Sequence, residues 1–183
     1  MSYTVLNSAM SSTLLSDPEV AGLFSADADL VAMLDFEAAL AEAEAEAGVF
    51  SSRLAQQIAA ACRGFRPDMV RLDAGISRDG MAVPDLVAQL REAIGTEASK
   101  YLHFGATSQD VIDTSLTSRL QRVNQILEPR LLNVCASLAH LDKRFGTNQL
   151  MARTRMQSAL PILAGHRIHS CLLYTSPSPR DVE

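Results

Sequence analysis

With 183 residues, 48% of them hydrophobic, and no long polar tract, the chain has enough apolar material for one packed domain, or one and part of another, and is unlike a disordered segment. Its net charge of −5 is spread over interspersed signs with no basic stripe, which argues against nucleic acid as a partner. It does not argue against an anionic substrate, because the local charge of a site governs that.

In chain order, Met1–Ser16 is Ser/Thr-rich and reads as a loosely ordered lead-in. Ser16-Asp17-Pro18-Glu19 combines a capping residue, a first-turn proline and an acid suited to the helix dipole, so a short helix through Leu23 and Phe24 is expected. Ser25 or Asp27 then caps a longer helix with Leu30, Met33, Leu34 and Leu40 on one face and Gly48 as its stop. Within it, Glu42-Ala43-Glu44-Ala45-Glu46 reads as a solvated face, since alternate acids on a helix point in different directions. Ser51 starts a further helix through Ile58 to Cys62, and a turn around Pro67 follows. Asp73–Pro84, with Gly75 and Gly80, is expected to be loop. Pro84 opens a helix through Leu86, Val87, Leu90 and Ile94 that closes at Gly95.

The stretch His103-Phe104-Gly105-Ala106-Thr107-Ser108-Gln109-Asp110 gathers small and polar residues ahead of a long apolar-periodic segment. Thr107 followed three residues on by Asp110 fits a capping box, so Thr107 or Ser108 starts a helix. A helix N-terminus offers unpaired N–H groups and partial positive charge to a carboxylate or phosphate, and Gly105 lets a ligand approach the backbone. The same pattern also describes an ordinary capped helix start, and local sequence does not choose between the two. Ile112, Leu116, Leu120, Val123 and Leu127 form an amphipathic stripe, continued past Glu128-Pro129 by Leu131, Val134, Cys135, Leu138, Leu141 and Phe145. One long kinked helix or two abutting ones are expected from Asp110 to Phe145, a length common in bundles. Thr147–Thr154 reads as extended or loop, with helix resuming near Ala159 or Pro161. The fold class is therefore all-α, with no βαβ alternation and no phosphate loop.

Cys62, Cys135 and Cys171 lack metal-ligand spacing and are odd in number, for which a reducing cytoplasm is the simplest home. No signal peptide, membrane span or metal site is expected. From about Cys171 the composition changes abruptly, and Tyr174-Thr175-Ser176-Pro177-Ser178-Pro179-Arg180 looks like translated sequencing-adapter read-through. Residues 171–183 are accordingly expected to be a non-native tail, and the natural chain to continue beyond residue 170.

The string His103–Asp110, ending in Asp113-Thr114, resembles the first signature region of the fumarase/aspartase superfamily. Met151-Ala152-Arg153-Thr154-Arg155-Met156-Gln157-Ser158-Ala159-Leu160-Pro161 resembles its second. Two ordered matches separated by a long helix are far more specific than either alone. Both are most similar to the 3-carboxy-cis,cis-muconate cycloisomerase family, as are the Asp27–Gly48 helix and the Phe65-Arg66-Pro67-Asp68 turn, and the likeness covers Asp17 to about Arg167.

That resemblance implies an N-terminal helical domain over residues 1–105 and, over 106–170, the start of a central long-helix bundle that assembles into a homotetramer. It implies a cofactor-independent enzyme of aromatic-compound degradation, acting on a small di- or tricarboxylate. Each active site would draw signature regions from three subunits. His103, Thr107 and Ser108, with Thr154 and Gln157, would contact substrate carboxylates. The third region, a flexible loop whose serine supplies the general base, would lie beyond these residues. Arg155 stands where amine- or hydroxide-expelling relatives carry a histidine, and Arg78-Asp79-Gly80 where they carry another. Arginine is a poor proton donor, but a lactone expels a carboxylate, whose conjugate-acid pKa of about 4 makes it a competent leaving group unaided. Arg155 is thus the one catalytic candidate here, with a purely structural ion pair as its alternative. Arg153 could neutralise a substrate carboxylate or hold its own loop. His140 reads as structural, and His166 and His169 carry little weight. The other readings are a fumarate-releasing lyase of the adenylosuccinate or argininosuccinate type, and a non-catalytic helical oligomerisation module.

Overall fold

Capping chemistry sets most of the helix boundaries in the computed structural model, which describes residues 16–175. Asp17 accepts from the amides of Glu19 (3.0 Å) and Val20 (3.2 Å) to start α1 (Pro18–Gly22). Ser25 accepts from Ala28 at 3.2 Å to start α2 (Ala26–Glu46), and left-handed Gly48 turns the chain away after it. Then follow α3 (Ser52–Gly64), α4 (Met69–Asp79), α5 (Val83–Ile94), a single 3-10 turn (Ala98–Lys100) and α6 (Ser108–Phe145). The chain ends in a two-stranded antiparallel ribbon, β1 (Gln149–Arg153) and β2 (Ser158–Leu163), and α7 (Ala164–Thr175). The expected lead-in falls outside the described residues except for Ser16, as does the tail beyond Thr175. The helix α7 runs through Cys171 without a break.

The chain divides into two compact units within α6, after Val123. In the first, Met33, Leu34, Ala38 and Ala41 of α2 pack with Leu54, Ile58, Ala59 and Cys62 of α3. Val83, Leu86, Val87 and Leu90 of α5, with Leu102 and Val111, complete that core. Each large side chain removed from water there contributes about 1.5–3 kcal/mol. A second, polar tie joins α2 to α6: the buried Arg119 guanidinium donates to Asp29 (2.6 Å) and to the carbonyls of Leu23 and Ser115 (both 3.2 Å). Ser115 also donates to Asp29 at 2.6 Å.

Two local expectations need correction. Asp73–Pro84 is not loop: α4 runs to Asp79 and only then stops at left-handed Gly80. Gly75 is a packing residue there, because a Cβ added to it would lie 2.6 Å from the Cβ of Asp85 on α5. Helix does not resume at Ala159 or Pro161 either. Ser158–Leu163 is a strand paired with Gln149–Arg153, Pro161 stands opposite Met151, and helix begins at Ala164. A proline is tolerated in such an edge position because the strand has a free side. Of the two forms expected for Asp110–Phe145, α6 is the single long helix, continuing through Pro129; its buried residues up to Val123 are Val111, Ser115, Arg119 and Val123. Leu116, Leu120, Leu127, Leu131, Val134 and Leu141 remain 39–50% exposed.

In the second unit the turn after α6 is held by backbone contacts, with Gly165 donating to Gly146 (2.9 Å) and Ala164 to Asn148 (2.8 Å). His169 and Asp142 lie 2.9 Å apart and join α7 to the end of α6.

Gly75→Ala is expected to lower the unfolding free energy by about 1–3 kcal/mol in urea titrations, since the methyl overpacks the α4–α5 contact. Gly64→Ala, where an added methyl meets nothing, serves as the neutral control. Equal midpoints for the two would mean that α4 and α5 do not meet at this position.

Candidate active site

The loop before α6 is built around one buried anchor and two left-handed residues. Leu102 is fully buried, and its carbonyl accepts from Arg91 Nη2 at 2.9 Å. His103 then takes φ 56°, the one described non-glycine residue with positive φ, and Gly105 takes φ 69°. Half-exposed Phe104 stands between them. The His103 ring turns inward, so that Nδ1 lies 2.6 Å from Oε1 of Glu37 on α2. Glu37 is 1% exposed, and its other oxygen, Oε2, is buried with no hydrogen-bond partner among the described residues. Gly105 faces Glu44 two turns further along α2, where an added Cβ would sit 3.8 Å from Oε1. Burial, and then the Glu37 charge, push the Glu44 carboxyl above the usual carboxylate range.

Thr107 and Asp110 close the capping box that their spacing predicts. The Thr107 amide and hydroxyl donate to Asp110 Oδ2 at 2.7 and 2.8 Å. The Asp110 amide returns a long 3.4 Å bond to the Thr107 hydroxyl. Ser108 is the first residue of α6 and is half-buried. The first amides of a helix have no acceptor within the helix, so Ser108 and its neighbours present N–H groups at its positive end. An incoming carboxylate would share that end with Asp110.

In the second unit, Thr154, Arg155, Met156 and Gln157 form the four-residue turn of the β1–β2 hairpin. The Thr154 amide donates to the Gln157 carbonyl (2.9 Å), and the Gln157 amide donates to the Thr154 hydroxyl (3.1 Å). This self-contained closure leaves Arg155 and Met156 at the tip, with Met156 87% exposed. Arg155 is exposed and has no ion-pair partner among the described residues. Arg78 and Asp79, at the end of α4, hold each other through two contacts of 2.6 and 2.8 Å.

The structure thus brings His103, Thr107 and Ser108 together in one unit, and Thr154, Arg155 and Gln157 together in the other. Sequence reasoning missed Glu37 and placed Glu44 on a solvated face, whereas Glu44 is half-buried with its Oε2 buried. A signal existed for Glu37: Met33, Leu34, Glu37, Ala38 and Ala41 follow core spacing, and an acid at such a position needs a partner. Among the described residues, no group of three or more His, Cys, Asp or Glu side chains is placed to hold a metal ion. No helix among the described residues is long and apolar enough to cross a membrane.

A family model described as Lyase matches residues 15–177. The chain belongs to this lyase family. Its all-α fold is that of the fumarase/aspartase-like lyases. It is 37% identical over 153 residues to the 3-carboxy-cis,cis-muconate cycloisomerase of Pseudomonas aeruginosa, covering 82% of this chain and 33% of that lyase. It is 35% identical over 151 residues to the adenylosuccinate lyase of Methanothermobacter thermautotrophicus, covering 81% and 33%. The crystal structure of the 3-carboxy-cis,cis-muconate lactonizing enzyme from Pseudomonas putida superposes with a TM-score of 0.80 at 35% identity, over 87% of this chain and 37% of that one. The chain therefore spans about a third of the length of the curated lyases it matches.

The Thr107 amide, its hydroxyl and the nearby His103 charge together hold the Asp110 carboxyl below the usual aspartate range, against a smaller opposing effect of burial. A lowered carboxyl stabilises the fold at pH above its unfolded value of about 3.9, and that contribution is lost as pH falls through the folded value. In NMR titrations the Thr107 amide resonance is expected to stay constant from neutral pH to about 4 and to move only below it. Asp110→Asn should abolish the movement. A midpoint at or above the ordinary aspartate value would show that the two Thr107 donors do not hold this carboxylate.

Proposed function

We propose that these residues belong to a metal- and cofactor-independent cycloisomerase that interconverts 3-carboxy-cis,cis-muconate and 4-carboxymuconolactone. The observation that carries the reading is the likeness to three proteins named for that activity, at 35–38% identity over 136–158 residues. In this reading His103, Thr107 and Ser108, with the first amides of α6, receive one substrate carboxylate. Thr154 and Gln157 of the hairpin turn, contributed to the same site by a different copy of the chain, receive another. A base on a serine-containing loop removes the proton next to a carboxylate, and the enolate-like intermediate is stabilised by fixed positive groups and helix-end N–H donors. The lactone oxygen departs as a carboxylate and needs no acid. Arg155 supplies a permanent charge that orients this group in both directions of the reaction. The exposure of Arg155 at a turn tip, without an ion-pair partner among the described residues, supports a role toward substrate over an internal salt bridge.

The assembly belongs to the same proposal. The exposed leucines of α6 suit burial against the same helix of other copies, as in a homotetramer of long-helix bundles, with residues 1–105 as the N-terminal domain and 106–170 as the start of the bundle. A cytoplasmic location accords with an odd count of cysteines that lack metal-ligand spacing. The second reading, a fumarate-releasing lyase, has the adenylosuccinate lyase likeness in its favour.

A chimera in which residues 17–167 replace the matching third of the Pseudomonas putida lactonizing enzyme tests this directly. It should change the ultraviolet absorbance of 3-carboxy-cis,cis-muconate and release no fumarate from adenylosuccinate. The opposite pattern would establish the second reading. Arg155→Ala in the chimera should lower kcat/KM by about 10- to 100-fold, the weight of one charge-assisted hydrogen bond. An unchanged value would remove Arg155 from the reaction.

A further inference from the structure

Two carboxylates are buried in the first unit, and they are treated differently. Asp85 accepts from Gln89 Nε2 (2.7 Å) and Arg71 Nε (3.3 Å), so its charge is balanced and its oxygens are occupied. Glu37 has no arginine or lysine contact. Its one hydrogen-bond partner is His103 Nδ1, and Oε2 has none among the described residues. The surroundings add to the burden. The Cys62 thiol on α3 is pushed up to about 12 by burial and then by the Glu37 charge, and Glu44 is raised partly by the same charge. A buried acid in such a position opposes folding unless something else retains it. At the other end of the contact, His103 holds a left-handed backbone that side-chain-bearing residues rarely adopt. Two unfavourable features meeting in one 2.6 Å contact point to a functional constraint on the ring.

We propose that Glu37 is a positioning residue that fixes the tautomer and orientation of His103. With Glu37 ionised, the hydrogen of the neutral ring must sit on Nδ1, where it is donated to Oε1. The ring cannot rotate without breaking that bond, so Nε2 becomes the atom offered to a ligand. A proton taken from solvent as a substrate carboxylate arrives can go only to Nε2, which then donates to that carboxylate. The hydrogen bond made by one ring nitrogen commonly sets the role of the other in this way. The substrate contact rests on the function proposed above; the tautomer does not.

Long-range nitrogen–proton NMR of the 15N-labelled 183-residue chain at mildly alkaline pH tests the tautomer, with His103→Gln identifying the signal. The His103 hydrogen should reside on Nδ1, and Glu37→Leu should move it mainly to Nε2. A hydrogen already on Nε2 in the unsubstituted chain overturns the proposal, and that result needs no variant to fold. An unchanged tautomer in a folded Glu37→Leu protein overturns it as well. In the chimera, Glu37→Leu and His103→Ala should each lower kcat/KM by about 10-fold or more, and the double variant by no more than the larger single effect, since one residue acts through the other. Additive losses would mean that Glu37 acts structurally. Full turnover by His103→Ala with the Nδ1 tautomer intact would instead refute His103 as a substrate contact and leave the positioning role standing.

Discussion

A carboxylate that is 1% exposed must find a hydrogen-bonding partner wherever the chain can bring one, and the partner of Glu37 comes from 66 residues downstream. That requirement ties the middle of α2 to the loop that precedes α6. The loop cannot reach Glu37 in an ordinary extended course. It must sink Leu102 into the core, accept the Arg91 clamp on the Leu102 carbonyl, and reverse through left-handed His103 and Gly105. Only after that reversal does Thr107 stand where it can cap α6. The helix start, and the amides it presents, thus inherit their position from a contact within the α2 face.

The same economy appears in both signature segments. Thr107 is engaged by Asp110, and Thr154 by Gln157, so each segment satisfies its own polar groups without a ligand. Such closure keeps a turn in one conformation at little expense, and it leaves charge and backbone amides as what remains on offer. The two segments are therefore suited to receiving carboxylates more than to moving protons. Arg155 fits this division, since a guanidinium holds its charge across the accessible pH range and works by orientation. His103 is the exception in the first unit, and Glu37 limits it to one exposed nitrogen.

Local chemistry was legible in the sequence wherever a boundary is set by its own neighbours. Ser25 and the Thr107–Asp110 box start helices through their side chains, Ser51 stands at a helix start without a side-chain bond, and Gly48 and Gly95 end helices with positive φ, because such signals act within one turn. The failures share a different cause. Gly75 has the composition of a breaker, yet its lack of a side chain serves contact with Asp85 on the next helix. Ser158–Leu163 is short and apolar, and only pairing with Gln149–Arg153 makes it a strand. Glu37 was passed over because its partner lies far along the chain. In each case the deciding atom belongs to another element, and no window of local sequence contains it.

The long helix carries that lesson furthest. Its leucine periodicity is strong, yet the first unit buries the neighbouring row, Val111, Ser115, Arg119 and Val123, one residue out of step with Ile112, Leu116 and Leu120. The reason is polar. Arg119 reaches Asp29 and the Leu23 carbonyl only when that row faces α2, and a guanidinium so placed directs three of its five N–H donors at acceptors, the third being its own Ser115 carbonyl. Rotating the helix to bury leucine would break these contacts of the guanidinium with Asp29 and Leu23, which opposes the gain from one or two apolar side chains. The network thereby fixes the rotation of α6 within the first unit, and with it the direction in which Leu116 and Leu120 point. A row of half-exposed apolar side chains along one helix is more than scattered surface leucines require, and it is the kind of surface that a second copy of the same helix would cover. Half-buried Asp29 and buried Arg119 thus decide which face of this part of the helix stays toward solvent.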